Sequence, residues 1–301
     1  MLATSLLHGQ QTTSPAPQQP VFQAGTDVVV MDVAVRKNDE PVMGLTRDDF
    51  EVKDNGVLQT LDYVKAETYP IDLTMVVDES GRLRLTLDRF RSAIKDTAAL
   101  LTPEDSVRVI AFNDRITQVF EGPPSGVAEV VDQLEALGRT SIYDAIAASL
   151  IRPKSANRRE LIVTFTDGHD TSSTISPQML LEVAKRADLV LDVFFAYDER
   201  DPLNGRWKSY EANDQLHEIR DIAAATGGLM DDMLGDDHVV KALRSALLDF
   251  KSRYLMAYTV HGVPRAGWHN ITVTVKKPGD VTILARKGWD GGKALPPQMG
   301  K

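Results

Sequence analysis

The chain has 301 residues with 34 basic and 43 acidic side chains, a net charge of −9, and hydrophobic and charged shares of 43% and 26%. That is enough apolar material for one large domain or two ordinary ones, and the acidic balance argues against nucleic acid or an anionic membrane surface as the main partner, since both need a basic face. With no cysteine and no stretch near the roughly 20 apolar residues of a membrane span, thiol catalysis, disulfides, Cys-ligated zinc and a spanning helix are excluded.

The opening MLATSLLHGQQTTSPAPQQP has a short apolar start without a basic region, then a Gln/Thr/Ser/Pro run, so 1–20 is expected to be a disordered leader or linker. From Thr26 the pattern has period 2. In DVVVMDVAVRK, Val29, Met31, Val33 and Val35 share one face, and Val28, Val30, Asp32, Ala34 and Arg36 the other. Thr46 to Asp49 reads as a capped turn, Phe50 to Lys53 as a short strand and Asp54-Asn55-Gly56 as a hairpin signal; LQTLDYVKAE is a further alternating strand.

At Ile71 the pattern changes. IDLTMVV is a nearly continuous apolar run, as a strand covered on both faces requires. Strands SVRVIAFN, ELIVTFT and DLVLDVFFAY then alternate with helical stretches: LTLDRFRSAIKDTAALL, GVAEVVDQLEAL, SIYDAIAASLI, PQMLLEVAKRA, NDQLHEIRDIAAAT and HVVKALRSALLDFKSR. Strands separated by helices mean crossovers, so 70–251 is expected to be an α/β domain with a Rossmann-like, doubly wound, mostly parallel sheet. Beyond it YLMAYTV, HNITVTVKK and VTILARK return to short alternating strands. Neither end has enough strands for a sandwich of its own. Residues 21–68 and 252–289 are therefore expected to pair as one small antiparallel β domain with the α/β domain inserted between them; the alternative is two separate decorations. The Gly/Pro-rich stretch 290–301 is expected to be a flexible tail.

In an open parallel sheet, ligands bind beyond the carboxyl ends of the strands, near the switch in strand order. Three polar segments fall at such places: Asp78-Glu79-Ser80-Gly81-Arg82, Gly138-Arg139-Thr140-Ser141 and Asp167-Gly168-His169-Asp170. Two strand-end carboxylates and two hydroxyls form a hard, all-oxygen set suited to Mg²⁺, Mn²⁺ or Ca²⁺. Each piece also has a plainer reading. Asp78 and Ser80 suit a helix cap, Ser141 and Asp144 have capping-box spacing, and Asp167-Gly168 suits an ordinary turn. Of the six histidines, only His169 falls near these segments.

The run VVDESG before a long amphipathic helix, then GRTSIYDAI, then IVTFTDGHD, resembles the von Willebrand factor A domain over about Ile71 to Lys251. The flanks FQAGTDVVVMDVAVRKNDEPVMGLTRDDFEVKDNG and RYLMAYTV…ITVTVKKPGDVTILARKGW resemble von Willebrand A-related proteins of acidobacterial type. What the resemblance implies is a non-enzymatic adhesion module, generally exported, that binds a protein ligand through a divalent cation at a metal-ion-dependent adhesion site. An acidic side chain of the ligand would complete the coordination. In the family pattern (Asp-x-Ser-x-Ser, a distant Thr, a distant Asp), Asp78 matches the first acid, Ser80 the first hydroxyl, Thr140 the threonine and Asp167 the second acid.

The second serine is Arg82 here. Arginine has five donors and no acceptor and cannot ligate a cation. Three placements are open to it: facing the cation and opposing it, bridging Asp78 and Asp167 as an internal cation, or turning out to solvent. Metal binding is therefore expected to be weak or absent. A structural domain with a dead site is the main alternative. An aspartyl-phosphate hydrolase with Asp78 as nucleophile is disfavoured, because Ser80 stands where that chemistry wants a second acid. A nicotinamide enzyme is excluded, because DESGRLR lacks the G-x-G-x-x-G that admits a pyrophosphate.

Overall fold

The computed structural model describes residues 28–38, 40–66, 69–151, 158–195, 214–232, 236–276 and 279–292; the expected leader, 1–20, lies outside them. The first segment forms β1 (Val28–Lys37), β2 (Glu40–Pro41), β3 (Phe50–Asp54), β4 (Val57–Gln59) and β5 (Leu61–Ala66). The middle forms β6 (Ile71–Asp78), α1 (Leu87–Ala99), β7 (Ser106–Phe112), β8 (Ile116–Gly122), α2 (Val127–Val131), α3 (Ile142–Ser149) and β9 (Arg159–Thr166). It continues with α4 (Pro177–Ala184), β10 (Val190–Phe195), α5 (Asp214–Ala225), β11 (Met230–Asp232) and α6 (Asp236–Ser252). The last segment forms β12 (Tyr254–Thr259), β13 (Trp268–Val275), β14 (Thr282–Ala285) and β15 (Gly288–Asp290).

The apolar run at Ile71 becomes β6, buried at every position because it lies inside a six-stranded sheet. The order is β11-β10-β9-β6-β7-β8, parallel throughout except for β8, which runs antiparallel to β7. Alternate residues of β6 enter different cores. Leu73, Met75 and Val77 pack with Phe90 and Ile94 of α1 and with Leu247 and Phe250 of α6. Val76 packs on the other side with Ile142 and Ile146 of α3, Leu180 of α4, and Ile219 and Ile222 of α5. Each such large side chain, fully buried, contributes about 1.5–3 kcal/mol. From β6 the chain moves one way to β7 and β8, then returns to the other side of β6 at β9. The carboxyl ends of β6 and β9 therefore flank the switch point, where an open sheet has its crevice.

Several elements differ from the sequence reading, the unexpected short strand β11 among them. Strand β8 was not expected; it is an edge strand exposed at Ile116, Thr117 and Gln118, so no alternation marks it. The stretch GVAEVVDQLEAL keeps only five residues of helix. Past it, Leu137 N–H donates to Glu79 C=O (2.8 Å) and Gly138 C=O accepts from Gly81 N–H (3.1 Å). Those tertiary bonds take the backbone groups that a longer helix would need.

Both remaining sheets mix strands from the two ends of the chain. β1 lies between β12 and β14, with β2 also on β1 and β5 on the far side of β12; the other sheet runs β15-β13-β3-β4. Val29, Met31, Val33 and Val35 of β1 share a core with Phe50 and Val52 of β3, Tyr254, Met256 and Tyr258 of β12, and Ile271 of β13. Asp54, fully buried, accepts from Tyr258 Oη (2.8 Å) and Trp289 Nε1 (3.0 Å) and lies 2.7 Å from His269 Nδ1. The Trp289 ring stacks on His269 at 4.0 Å. The expectation of a free tail from 290 is corrected at its start. Asp290 pairs with Arg186 (2.7 Å), Gly291 N–H bonds Gly267 C=O (2.8 Å), and Gly292 C=O accepts from Gly267 N–H (2.9 Å). Residues 293–301 lie outside the described residues.

Replacing Asp54 by alanine strands donors from three strands at once, the buried Tyr258 and His269 and the partly buried Trp289. Breaking a buried charged network by removing one partner costs about 3–5 kcal/mol. Urea denaturation of Asp54→Ala should show a loss of that order; a loss under about 1 kcal/mol would mean that the cluster is not a fastening of the fold.

Candidate functional site

Asp78 is the last residue of β6, and Asp167 immediately follows β9. The two strands are parallel neighbours with Val77 opposite Phe165, which sets Asp78 beside Thr166 and one residue from Asp167. Asp78 has no solvent exposure. Its Oδ1 accepts Ser80 N–H (2.9 Å) and its Oδ2 accepts the Thr166 hydroxyl (2.7 Å). Burial, and next the charge of Asp167, push its pKa up to about 7 against the pull of those two hydrogen bonds and of the Ser80 hydroxyl.

Asp167 is handled differently. Its Oδ1 accepts His169 N–H (3.0 Å) and its Oδ2 accepts Arg82 Nε–H at 2.8 Å. The Arg82 side chain is 26% exposed and that of Asp167 6%, so the arginine reaches from the rim to a nearly buried carboxylate. Of the three placements open to Arg82, the turn to solvent is not taken, and of the bridge between the two acids the contact with Asp167 is made. Burial and the Arg82 charge lower the pKa of His169, which keeps its ring neutral at pH 7.

Ser80 and Thr140 are both fully buried; Thr140 Oγ1 has no hydrogen-bond partner among the described residues, and Ser80 Oγ, close enough to Asp78 to act on its charge, makes no hydrogen bond of good geometry. A buried hydroxyl left unpaired costs about 1–3 kcal/mol and calls for a reason. Thr140 is held firmly all the same. Its C=O accepts Thr171 N–H and Ser172 N–H (2.9 Å each), its N–H donates to Thr171 Oγ1 (2.9 Å), and Ser141 N–H donates to Asn113 C=O (3.1 Å). Gly138, at φ +77°, makes this turn possible; a Cβ there would come within 2.5 Å of Asp114 Oδ1.

Two of the plainer readings, the helix caps, are corrected here, while Asp167-Gly168 does form a turn, with Gly168 at φ +76°. Ser141 and Asp144 do not form a capping box at α3. Ser141 Oγ meets Ser172 Oγ at 2.9 Å, and Asp144 accepts Thr174 N–H and Ile175 N–H (2.9 Å each). The α3 amides of Tyr143 and Asp144 are capped by Ser173 Oγ instead (3.1 and 3.2 Å). Nor does the Ser80 side chain cap the short turn Gly81–Leu83. Thr166 and the polar run Thr171-Ser172-Ser173, which follows Asp170, were not singled out in the sequence. A hydroxyl at the end of an apolar strand, followed by a Ser/Thr-rich loop, is the only local signal they carry.

An open, mostly parallel sheet covered by helices on both faces defines a Rossmann-like α/β domain. The sequence profile of the von Willebrand factor type A domain matches residues 72–234, more than half of the chain, and the chain belongs to that family. A von Willebrand factor type A structure from Catenulispora acidiphila is similar at 14% identity, covering 89% of this chain and 76% of that one, with a TM-score of 0.49. The conserved hypothetical protein BatB from Bacteroides thetaiotaomicron is similar at 16% identity over 60% of this chain and 100% of that one, with a TM-score of 0.45. The PilB minor pilin from Streptococcus sanguinis is similar at 13% identity over 62% of this chain and 63% of that one, with a TM-score of 0.43. No curated protein matches the chain.

The raised pKa of Asp78 has a consequence for stability. Between its ordinary value of 3.8 and about 7, the folded protein holds this proton and the unfolded chain has lost it. Stability therefore falls as the pH climbs through that interval. Asp192, buried and pushed up to about 6, adds a slope of the same sign. In chelator-treated protein, Asp78→Asn should gain on the wild type from pH 4 to 7 and hold a constant lead above, read by urea denaturation; Asp192 is common to both and drops out. A difference that does not change with pH would mean that Asp78 is ionised in the fold.

Proposed function

We propose that the chain is a non-enzymatic protein-binding module of adhesion type. Its site is a partly degenerate metal-ion-dependent one in which Asp78, Ser80, Thr140 and Asp167 hold Mg²⁺, Mn²⁺ or Ca²⁺, and an acidic side chain of a partner protein completes the shell. The observation that carries this reading is that two fully buried hydroxyls, Ser80 Oγ beside Asp78 and Thr140 Oγ1 with no hydrogen-bond partner among the described residues, lie on the loops that meet at the ends of the Asp78 and Asp167 strands. Their chemistry fits a hard divalent cation, which takes neutral and anionic oxygens together. The described residues contain no cluster of three His, Asp or Glu side chains able to hold a metal. A cation here depends on the hydroxyls and on water.

Arg82 on Asp167 favours a second reading, a structural interaction domain whose cation site is dead. An enzyme is disfavoured by the state of Asp78, which has no exposure and both oxygens engaged, and so makes a poor nucleophile. We also place the protein outside the cytoplasm, on the family resemblance; among the described residues no helix is long and apolar enough to cross a membrane. Fractionation of the producing cell checks that address.

Calorimetric titration of the full chain with Mn²⁺, Mg²⁺ and Ca²⁺ separates the two functional readings. The expected result is weak binding, with Kd in the high micromolar range or above, that is lost in Asp167→Ala and weakened in Thr140→Ala. No binding in the wild type supports the structural reading. Binding that is unchanged in both variants would put the cation elsewhere.

A further inference from the structure

We infer that Arg82 is a latch: its guanidinium and a divalent cation are alternative occupants of the Asp167 carboxylate, so cation binding is an exchange and not an addition. This rests on the cation-site reading above. The backbone geometry allows Arg82 little choice of neighbourhood. It sits in the short turn Gly81–Leu83, and Gly81 N–H is tied to Gly138 C=O at 3.1 Å, one residue from Arg139 and two from Thr140. The side chain thus starts beside the site, and its Nε donates to Asp167 Oδ2 at 2.8 Å.

Charge decides that both cannot be present. The site offers two carboxylates, Asp78 and Asp167. A dication with the guanidinium still on Asp167 puts three positive charges against two negative ones within a few ångströms, in a place where water screens poorly. Asp167 also has limited capacity, because Oδ1 already accepts His169 N–H and Oδ2 the arginine. Arginine is suited to leaving. Its long stem is about a quarter exposed, while the carboxylate it holds is nearly buried, so the head can move to solvent without disturbing the core. In the latched form a permanent charge, one that no pH in the working range removes, answers Asp167. Opening the latch presents that same charge at the rim, where an acidic partner would meet it. Anything that stabilises the open form raises the affinity for the cation, and the cation in turn favours the open form.

The test compares four proteins as the full chain, wild type, Arg82→Ala, Arg82→Ser and Arg82→Lys, with Asp167→Ala as the control that removes the site. Arg82→Ala removes the competing charge without adding a ligand, and should bind Mn²⁺ at least tenfold more tightly in calorimetry, equivalent to ~1.4 kcal/mol. Arg82→Ser, which also restores a hydroxyl, should bind at least as tightly as Arg82→Ala. Arg82→Lys keeps the charge and should stay within about threefold of the wild type. Thermal melts supply an independent readout. In chelator, Arg82→Ala should melt below the wild type, because Asp167 loses its counter-charge; in saturating Mn²⁺ the order should reverse. Equal Mn²⁺ affinity in wild type and Arg82→Ala, with binding still lost in Asp167→Ala, overturns the latch and leaves the cation site standing. If none of the four proteins binds Mn²⁺, the cation site itself fails, and the latch with it.

Discussion

Two carboxylates sit side by side at the ends of neighbouring strands, in a sheet covered on both faces. Like charges so placed cannot both be ionised without an answering positive charge. Nearly every feature of the crevice responds to that constraint. Asp78 takes the fully buried position, two hydrogen bonds, and a pKa displaced towards neutrality. Asp167 takes a backbone amide and the Arg82 guanidinium. The pair is therefore asymmetric, with one acid held by burial and hydrogen bonds and the other by a charge. The buried Thr140 hydroxyl, without a hydrogen-bond partner among the described residues, shows where that arrangement still leaves an oxygen unanswered.

The scaffold makes the asymmetry durable. Four segments distant in sequence are sewn together by backbone bonds: Leu137 to Glu79, Gly81 to Gly138, Ser141 to Asn113, and Thr171 and Ser172 to Thr140. Because these bonds use main-chain groups, they set the path of the loops whatever the side chains do. Departures at single positions can then change the chemistry without changing the geometry, and Arg82 is such a departure. The Ser/Thr-rich loop 170–174 belongs to this frame, since its hydroxyls and amides hold Thr140 and cap α3.

The strands from the two ends are joined to the α/β part by buried charge as well as by packing. Asp32 of β1 pairs with Arg159 of β9 at 2.5 Å, and Arg36 of β1 lies 3.8 Å from Asp249 of α6. Arg253, at the junction of α6 and β12, is fully buried; it donates to Gly227 C=O (2.8 Å) and pairs with Asp249 (3.3 Å). Such pairs give little net stability against apolar replacements, but they are demanding in geometry. They fix how the first strand and the last helix of the α/β part meet.

By itself, the sequence determined the succession of element types and the identity of the polar segments at the strand ends. Both follow from local causes. The apolar run at Ile71 has only one stable use, between two faces, and the period-2 run at β1 puts Val29, Met31, Val33 and Val35 on one side wherever that strand lies. Edge strand β8 escaped notice because an exposed strand need not alternate, and the helix after Gly126 was overlong because propensity could not reveal the bonds that end it. Capping boxes depend on backbone groups that other residues can claim, as Ser173 does at α3. The direction of Arg82 was undecidable from its neighbours in sequence, since a long charged side chain goes where opposite charge and solvent balance. Only the pairing of β6 with β9 brings Asp167 within its reach, and that long-range pairing is what tertiary structure alone decides.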